Sequence, residues 1–216
     1  MRSLYLPFTI NHLLFTIYHL PSQGTIFPFS RFPSEPASSH HLMITIISGS
    51  NRLGNQTHQV AAYYYERLRL KAPDTQFFSL EDLPTGFLYP HMYESKHPDF
   101  LAIEKKFLIP ADKFVFVLPE YNGSFPGVLK AFIDACEVKA CFQRKKAALV
   151  GISSGKSGNQ RGLDHLTAVL HHLRMLVSPD RLYLSHVEEE LNEAGHLFLS
   201  GTLQRVEKQM DAVLTF

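Results

Sequence analysis

From residue 43 onward, the chain alternates between short runs of consecutive apolar residues and longer stretches in which apolar residues recur every three or four positions. Unbroken apolar runs are typical of strands buried on both faces, whereas the longer period is typical of helices with one buried side. The runs predict five strands, over residues 43–47, 75–80, 113–118, 147–152 and 181–184. Strands that alternate with helices in this way favour an α/β domain with a parallel sheet.

Each predicted strand is followed by a predicted helix or by a loop that leads to one. Apolar spacing and prolines predict helices over residues 55–71, 98–109, 126–136, 163–177 and 203–213, with Val177 at the end of the fourth apolar stripe. Residues 81–97, which include prolines, a glycine and several aromatic residues, predict a loop near the ligand site. The number of predicted strands and helices fits a three-layer, flavodoxin-like fold: a five-stranded parallel sheet of order 2-1-3-4-5 with helices on both faces. That order places a ligand between the first and third strands.

Residues 1–42 differ in character from the rest of the chain. They carry only three charged residues among runs of Pro, Ser, His and Phe. Residues 4–20 faintly resemble a secretory signal, but polar residues interrupt them and they are too short to span a bilayer. Met43 stands on the first residue of a strong strand. We therefore expect residues 1–42 to be an extension outside the fold, with a misplaced start codon favoured over a signal or tail, and residues 43–216 to be the folded domain.

Composition narrows the possible partners. The chain is 45% hydrophobic and 19% charged, and residues 43–216 carry equal numbers of basic and acidic residues, so charge gives no reason to expect nucleic acid or a membrane. Cys136 and Cys141 form neither a disulfide framework nor the usual zinc spacing. We expect ordinary thiols in a reducing, cytoplasmic compartment. The 12 histidines show no ligand spacing either, so no metal is expected.

Loop 1, residues 48–57, follows the first predicted strand and opens a helix. Backbone N–H groups at a helix start lack partners, and the helix dipole favours negative charge there. Ser50, Asn55 and Thr57 can donate hydrogen bonds, and the Arg52 guanidinium suits phosphate oxygens. The lysine of a P-loop and the second glycine of a dinucleotide fingerprint are both missing. The loop therefore predicts either a held phosphate or a simple capped turn.

Loop 2, residues 119–127, follows the third predicted strand. Pro119 and Pro126 stiffen its ends, Gly123 allows close backbone approach, and Asn122 tolerates unusual dihedral angles. Such a loop can contact the edge of a planar heterocycle, with Tyr121 as an aromatic wall. The alternative is a proline- and glycine-rich turn with no ligand.

Loop 3, residues 151–162, follows the fourth predicted strand and matches the G-x-S-x-G pattern of hydrolase nucleophiles. That pattern requires a sharp turn straight into a helix, whereas here the glycine-rich stretch continues to Gly162. A hydrolase triad with Asp180 and either His186 or His196 stays open as an outlying alternative. A third wall of the same pocket is favoured.

The three loops together resemble those of the NADPH-dependent FMN reductase family, a group of flavodoxin-like flavoenzymes that includes chromate, quinone and azo-dye reductases. The stretch P-E-Y-N-G-S-x-P-G-x-L-K in and after loop 2 is the most specific part, and the resemblance runs from Met43 to about Val213. Asn55 departs from the serine of many members. The resemblance implies that loop 1 holds the FMN phosphate, that loop 2 contacts the isoalloxazine, and that loop 3 lies beside it. The implied residues are Ser50, Arg52, Asn55, Gln56, Thr57, Pro119, Glu120, Tyr121, Asn122, Gly123, Ser153, Ser154, Gly155 and Gly158.

The resemblance further implies an enzyme that passes hydride from NADPH or NADH through FMN to a small acceptor, such as a flavin, a quinone, an azo compound or a metal oxyanion. The cofactor carries the chemistry, so no catalytic side chain is expected. Members are usually homodimers or homotetramers. The alternative is an FMN-binding electron carrier or redox sensor without turnover. It is disfavoured because carriers of the flavodoxin type tend to be strongly acidic, whereas this domain is neutral.

Overall fold

Six short strands form one parallel sheet in the computed structural model, which describes residues 41–89, 92–93 and 95–216. The order is β2-β1-β3-β4-β5, with β6 also paired to β4, and every pairing is parallel. The predicted order is confirmed. The extension expected over residues 1–42 lies almost wholly outside the described residues and stays a prediction. The strands are β1 (Ile44–Ser48), β2 (Gln76–Ser79), β3 (Lys113–Pro119), β4 (Lys146–Ile152), β5 (Leu176–Val177) and β6 (Leu182–Leu184).

The fifth position of the sheet is divided between two strands. β5 pairs with the beginning of β4 and β6 with its end. The predicted helix up to Val177 is wrong, because the helix ends at His172 and Val177 belongs to β5. Arg174, at φ 62°, turns the chain, and the N–H of Met175 donates to the Leu170 carbonyl at 3.0 Å. Helices commonly end with one residue in the left-handed conformation, and that residue is usually glycine. Here it is arginine, so the sequence did not indicate the end of the helix.

Helices cover both faces of the sheet. One core cluster joins residues of α1 and α7 to the sheet face that carries Val115 and Val117, and the other joins α2, α3 and α5 to the face that carries Phe114 and Phe116. Side chains alternate between faces along a strand, so the continuous apolar run of β3 serves both layers. The helices are α1 (Gln56–Lys71), α2 (Pro98–Ile103), α3 (Gly127–Ala135), α4 (Val138–Cys141), α5 (Gln160–His172), α6 (Val187–Glu190) and α7 (Ser200–Thr215).

Three local features were not predicted. α2 continues as a π-helical turn, Glu104–Leu108, and α4 and α6 are helices of four residues each. Single turns are too short to show a helical period, which explains the omission. The described residues between Asp82 and Pro98 form turns and bends, as predicted. No helix in the described ranges has the length and apolar character needed to cross a membrane.

Candidate functional site

The three loops meet around one cleft of about 560 Å³ at the carboxyl ends of the strands. Its lining comes from residues 52–57 of loop 1, 119–121 of loop 2, 152–154 of loop 3 and 187–188 of α6. Loops 1 and 2 meet because β1 and β3 are neighbours in the sheet, at the point where the strand order reverses. The cleft therefore lies where the predicted order places a ligand.

Gly49 allows loop 1 to cross close over β3. Its N–H donates to the Val117 carbonyl at 2.8 Å. A Cβ at this position would lie 2.5 Å from Leu118 Cδ2 and 2.9 Å from that same carbonyl oxygen. A larger residue would lift the loop away from the sheet, so this glycine sets the position of the residues that follow.

Asn55 caps α1 rather than facing the cleft with its amide. Its Oδ1 accepts the N–H of His58 at 2.8 Å, while its Nδ2 donates to the Arg52 carbonyl at 2.5 Å and to the Glu81 carboxylate. The preceding N–H groups, of Gln56 and Thr57, have no partner within the helix, as at any helix start. The Asn55 side chain thus orders the loop, and the exposed Arg52 lines the cleft beside the first residues of α1.

Glu81 was not singled out from the sequence. It lies in the short 3₁₀ turn after β2, where its carboxylate accepts the hydrogen bond from Asn55 and stands 3.9 Å from His58 Nδ1. The Ser79 hydroxyl in turn accepts the Glu81 N–H at 3.2 Å. No pattern along the chain points to this contact, because residues 81–97 predict only a loop.

Ser50 joins loop 1 to loop 2. Its buried hydroxyl lies 2.8 Å from the Tyr121 hydroxyl and accepts the Arg52 N–H at 3.2 Å. Loop 2 itself is a tight turn: Asn122 and Gly123 have φ of 51° and 75°, and Tyr121 and Ser124 exchange backbone hydrogen bonds of 2.9 and 3.1 Å. Two successive positive φ angles explain the asparagine-glycine pair at the tip.

Loop 3 is held together by its own polar groups. The Ser153 hydroxyl donates to the Gly155 carbonyl and accepts the Gly158 N–H, both at 2.9 Å. Asn159 donates to the carbonyls of Leu118 and Pro119 at 3.2 and 2.8 Å, which fastens loop 3 to β3. Among the described residues, the hydrogen bonds of the Ser153 hydroxyl thus go to backbone atoms of its own loop. The arrangement of a hydrolase nucleophile does not form.

The predicted site residues fall into three groups. Those that line the cleft are Arg52, Asn55, Gln56, Thr57, Pro119, Glu120, Tyr121, Ser153 and Ser154. An adjoining cavity of about 550 Å³ contains Asn122, Gly123 and Gly155 together with Lys156 and Ser157, and it shares three residues with the cleft. Ser50 and Gly158 line neither cavity, and each holds the end of a loop in place. Five lining residues were missed from the sequence: Leu53, Gly54, Ile152, Val187 and Glu188.

Comparison with known proteins gives the family. Residues 42–189 match the model of the NADPH-dependent FMN reductase family. The chain is 29% identical over 174 residues to a 2-hydroxy-1,4-benzoquinone reductase of a Burkholderia species, covering 79% of this chain and 93% of that protein. It is 28% identical over 180 residues to an NAD(P)H-dependent FMN reductase of Pseudomonas aeruginosa, covering 81% and 95%.

A solved structure agrees in fold. The flavoenzyme NAD(P)H:(acceptor) oxidoreductase FerB from Paracoccus denitrificans superposes with a TM-score of 0.64 at 22% identity, over 81% of this chain and 96% of that one. The predicted fold is confirmed, and so, at the level of the family, are the predictions of an oxidoreductase with FMN as cofactor and a nicotinamide nucleotide as reductant. The chain belongs to the NADPH-dependent FMN reductase family.

Proposed function

We propose that this protein oxidises NADPH or NADH and passes the electron pair, through FMN held in the cleft, to a small acceptor of the quinone class. The observation that carries the proposal is the meeting of three loops around one cleft of about 560 Å³. This volume lies within the range of about 300 to 1,000 Å³ that is typical of small-molecule and cofactor sites.

The loop 1 end of the cleft suits a phosphate group. The N–H groups of Gln56 and Thr57 start a helix of 16 residues, whose dipole favours an anion. Arg52 lines the same end and adds a guanidinium that can form two parallel hydrogen bonds. Asn55 stabilises the conformation of loop 1 by donating to the Arg52 carbonyl and to the Glu81 carboxylate. We infer that these residues bind the phosphate without transferring it, since no lysine stands at the P-loop position.

The loop 2 end suits a flat ring. Pro119, Tyr121, Ile152 and Val187 supply apolar and aromatic surface, and the Ser50 hydroxyl fixes the Tyr121 ring through its hydroxyl. FMN bound there would supply the redox chemistry, taking an electron pair from the nicotinamide and giving it to the acceptor. The protein's own part is to hold the ring edge against loop 2, with one face open to the second substrate.

The acceptor class rests on the relative and on the shape of the site. The Burkholderia protein is named a 2-hydroxy-1,4-benzoquinone reductase. In this chain the adjoining cavity of about 550 Å³ shares Glu120, Ser153 and Ser154 with the cleft, which gives a second planar molecule room beside the ring. Flavins, azo compounds and metal oxyanions are the competing acceptors. We also propose that the protein is cytoplasmic and forms a homodimer or homotetramer. Light scattering after gel filtration tests the oligomeric state.

The test is a visible spectrum of the full chain, followed by anaerobic addition of NADPH or NADH and then of a 1,4-benzoquinone. We expect bound FMN, rapid bleaching by the nicotinamide, and recovery of the oxidised spectrum faster with the quinone than with an azo dye. Bleaching without preference for the quinone would contradict the acceptor class only. A flavin that stays oxidised would favour the carrier or sensor, and a protein that binds no FMN would overturn the whole proposal.

A further inference from the structure

Three side chains of metal-binding type meet in the core, outside the cleft and its loops. Glu104, Cys136 and Cys141 come from three separate segments, and their ligand atoms all lie within 4.8 Å of one another. Their exposures are 3%, 7% and 0%. The Cys141 thiol lies 3.7 Å from Glu104 Oε1. The sequence showed only the cysteine pair, because the carboxylate comes from the π-helical turn after α2.

The cluster sits away from the candidate flavin site. Cys136 directly follows the last residue of α3, and Cys141 is the last residue of α4. α3 begins at Gly127, the last residue of loop 2, so Cys136 lies one helix length from the cleft. A group bound here would not touch a cofactor in the cleft, and the inference is independent of the proposed function.

The charges of the cluster are already balanced. Lys96 Nζ lies 2.8 Å from Glu104 Oε1, and the N–H of Glu137 donates to the same oxygen at 2.6 Å. The two cysteines are free and form no disulfide. If one divalent cation replaced the two thiol protons, the net charge of this buried group would not change. The usual cost of burying an extra charge is thereby avoided.

We propose that Glu104, Cys136 and Cys141 form a binding site for a thiophilic divalent cation, with Zn²⁺ as the best match. Zn–S bonds of about 2.3 Å and Zn–O bonds of about 2.1 Å in a tetrahedron separate sulfur from oxygen by about 3.6 Å. The distance of 3.7 Å between Cys141 Sγ and Glu104 Oε1 is close to that edge. Binding releases one proton from each thiol, and one water molecule that enters with the ion takes the fourth position, as in zinc sites with three protein ligands. The ion would join the end of α2, the end of α3 and α4.

The first experiment measures Zn²⁺ retained by the flavin-loaded full chain after gel filtration, by elemental analysis. Because the chain has 12 histidines, the matched control is His171→Ala/His172→Ala, two exposed histidines on α5. We expect that control to retain as much Zn²⁺ as the wild type. Cys136→Ser and Cys141→Ser should each lose one equivalent, with affinity lower by about 100-fold or more, since even the loss of outer-shell partners costs about 10- to 100-fold.

A second measurement needs no variant, in case the serine forms do not fold. Co²⁺ bound by two thiolates in a tetrahedron absorbs strongly in the red, where oxidised flavin does not. We expect that absorption to appear with one equivalent of Co²⁺ and to be removed by Zn²⁺. Weak absorption typical of six oxygen or nitrogen ligands would overturn the proposal. Zn²⁺ retention that is absent in the wild type, or unchanged in both serine variants, would overturn it as well.

Discussion

Loops 1 and 3 are built from the same residue types, and each connects a buried strand to a helix, yet they use their polar groups in opposite ways. Asn55 and Asn159 occupy the same position, directly before a helix. Asn55, at φ −79°, caps α1, and loop 1 directs Arg52 and the first N–H groups toward the cleft. Asn159, at φ 61°, makes no cap and instead fastens its loop to β3.

The difference shows that a glycine- and serine-rich loop can serve either as a binding surface or as a support for one. In loop 3, the Ser153 hydroxyl bonds to backbone atoms of the same loop and the Asn159 amide bonds to β3, which holds Pro119 and the start of loop 2 in place. Loop 1 leaves donors for a ligand. Substitutions in loop 3 should therefore lower stability, and substitutions in loop 1 should lower FMN affinity.

The largest loss of stability is expected at Gly151, where the end of β4 leads into loop 3. A Cβ there would lie 2.2 Å from the Gly158 carbonyl oxygen, a backbone atom that cannot move aside alone. Gly151→Ala should lower the free energy of unfolding by about 3 kcal/mol, measured by urea denaturation. Gly201→Ala is the control, because nothing lies within 4 Å of its added Cβ. Equal effects of the two substitutions would mean that loop 3 is not tightly packed.

Asn159→Ala should lower the free energy of unfolding by about 2 kcal/mol, because the carbonyls of Leu118 and Pro119 lose a buried donor. Part of that loss comes from the left-handed backbone, which alanine disfavours. Asn122→Ala measures that part alone, since Asn122 has φ 51° and is exposed. If the two variants lost the same stability, the hydrogen bonds to β3 would contribute nothing.

Arg52→Ala, in the binding loop, should weaken FMN binding by about 1 to 3 kcal/mol, the range for a hydrogen bond to a charged group. The free energy of unfolding without FMN should change by no more than about 0.5 kcal/mol, as for an ordinary surface substitution. Quenching of FMN fluorescence measures the affinity. Arg69→Ala, an exposed arginine near the far end of α1, should leave it unchanged, and an equal loss there would contradict the phosphate assignment.

Asn55→Ala should lower both the free energy of unfolding and the affinity for FMN, each by a smaller amount, because the Asn55 side chain caps α1 and holds loop 1 through the Arg52 carbonyl. Loss of the cap lowers the free energy of unfolding by about 1 kcal/mol, and the freed loop should bind FMN more weakly. Asn55→Ser keeps a capping oxygen, so it should recover most of the stability. A variant without the cap that still bound FMN normally would show that the loop needs no such support.

The smallest effect is expected far from both loops. Hydrogen bonds from Lys71 and then Arg67 lower the pKa of the Glu207 carboxyl from its ordinary 4.5. A lowered pKa gives stability that is present above 4.5 and is lost as the pH falls through the folded value. Glu207→Gln should therefore cost about 0.5 kcal/mol at neutral pH. The difference should vanish in acid, with FMN affinity unchanged, and a difference that persisted in acid would assign the effect to packing.

The sheet and the position of the cleft could be predicted because both depend on patterns that repeat along the chain. The five predicted strands match β1, β2, β3, β4 and β6 to within one residue at each end, and only the two-residue β5 was missed. Parallel strands bring the loops at their carboxyl ends to one edge of the sheet. The end of α5 could not be predicted, since the left-handed residue that follows it is Arg174 and not a glycine. The same holds for α6, whose four residues show no period although Val187 lines the cleft.

Within the site, residue types were predicted better than residue roles. Asn55, Ser153 and Ser50 lie at or next to the cleft, but their side chains bond to protein groups: Ser153 within its own loop, Asn55 within loop 1 and to Glu81, and Ser50 to Tyr121 of loop 2. Only the folded geometry reveals these roles. The partner of Asn55 is Glu81, a residue 26 positions away. Such long-range pairs carry no periodic signal in a single sequence.

The division of the fifth strand also affects how molecules of this protein meet one another. An outer strand offers a row of unpaired N–H and C=O groups that a neighbouring molecule can extend into a larger sheet. Here that row is broken into pieces of two and three residues, with Pro179 between them. The interruption therefore protects this side of the sheet from edge-to-edge aggregation at high concentration.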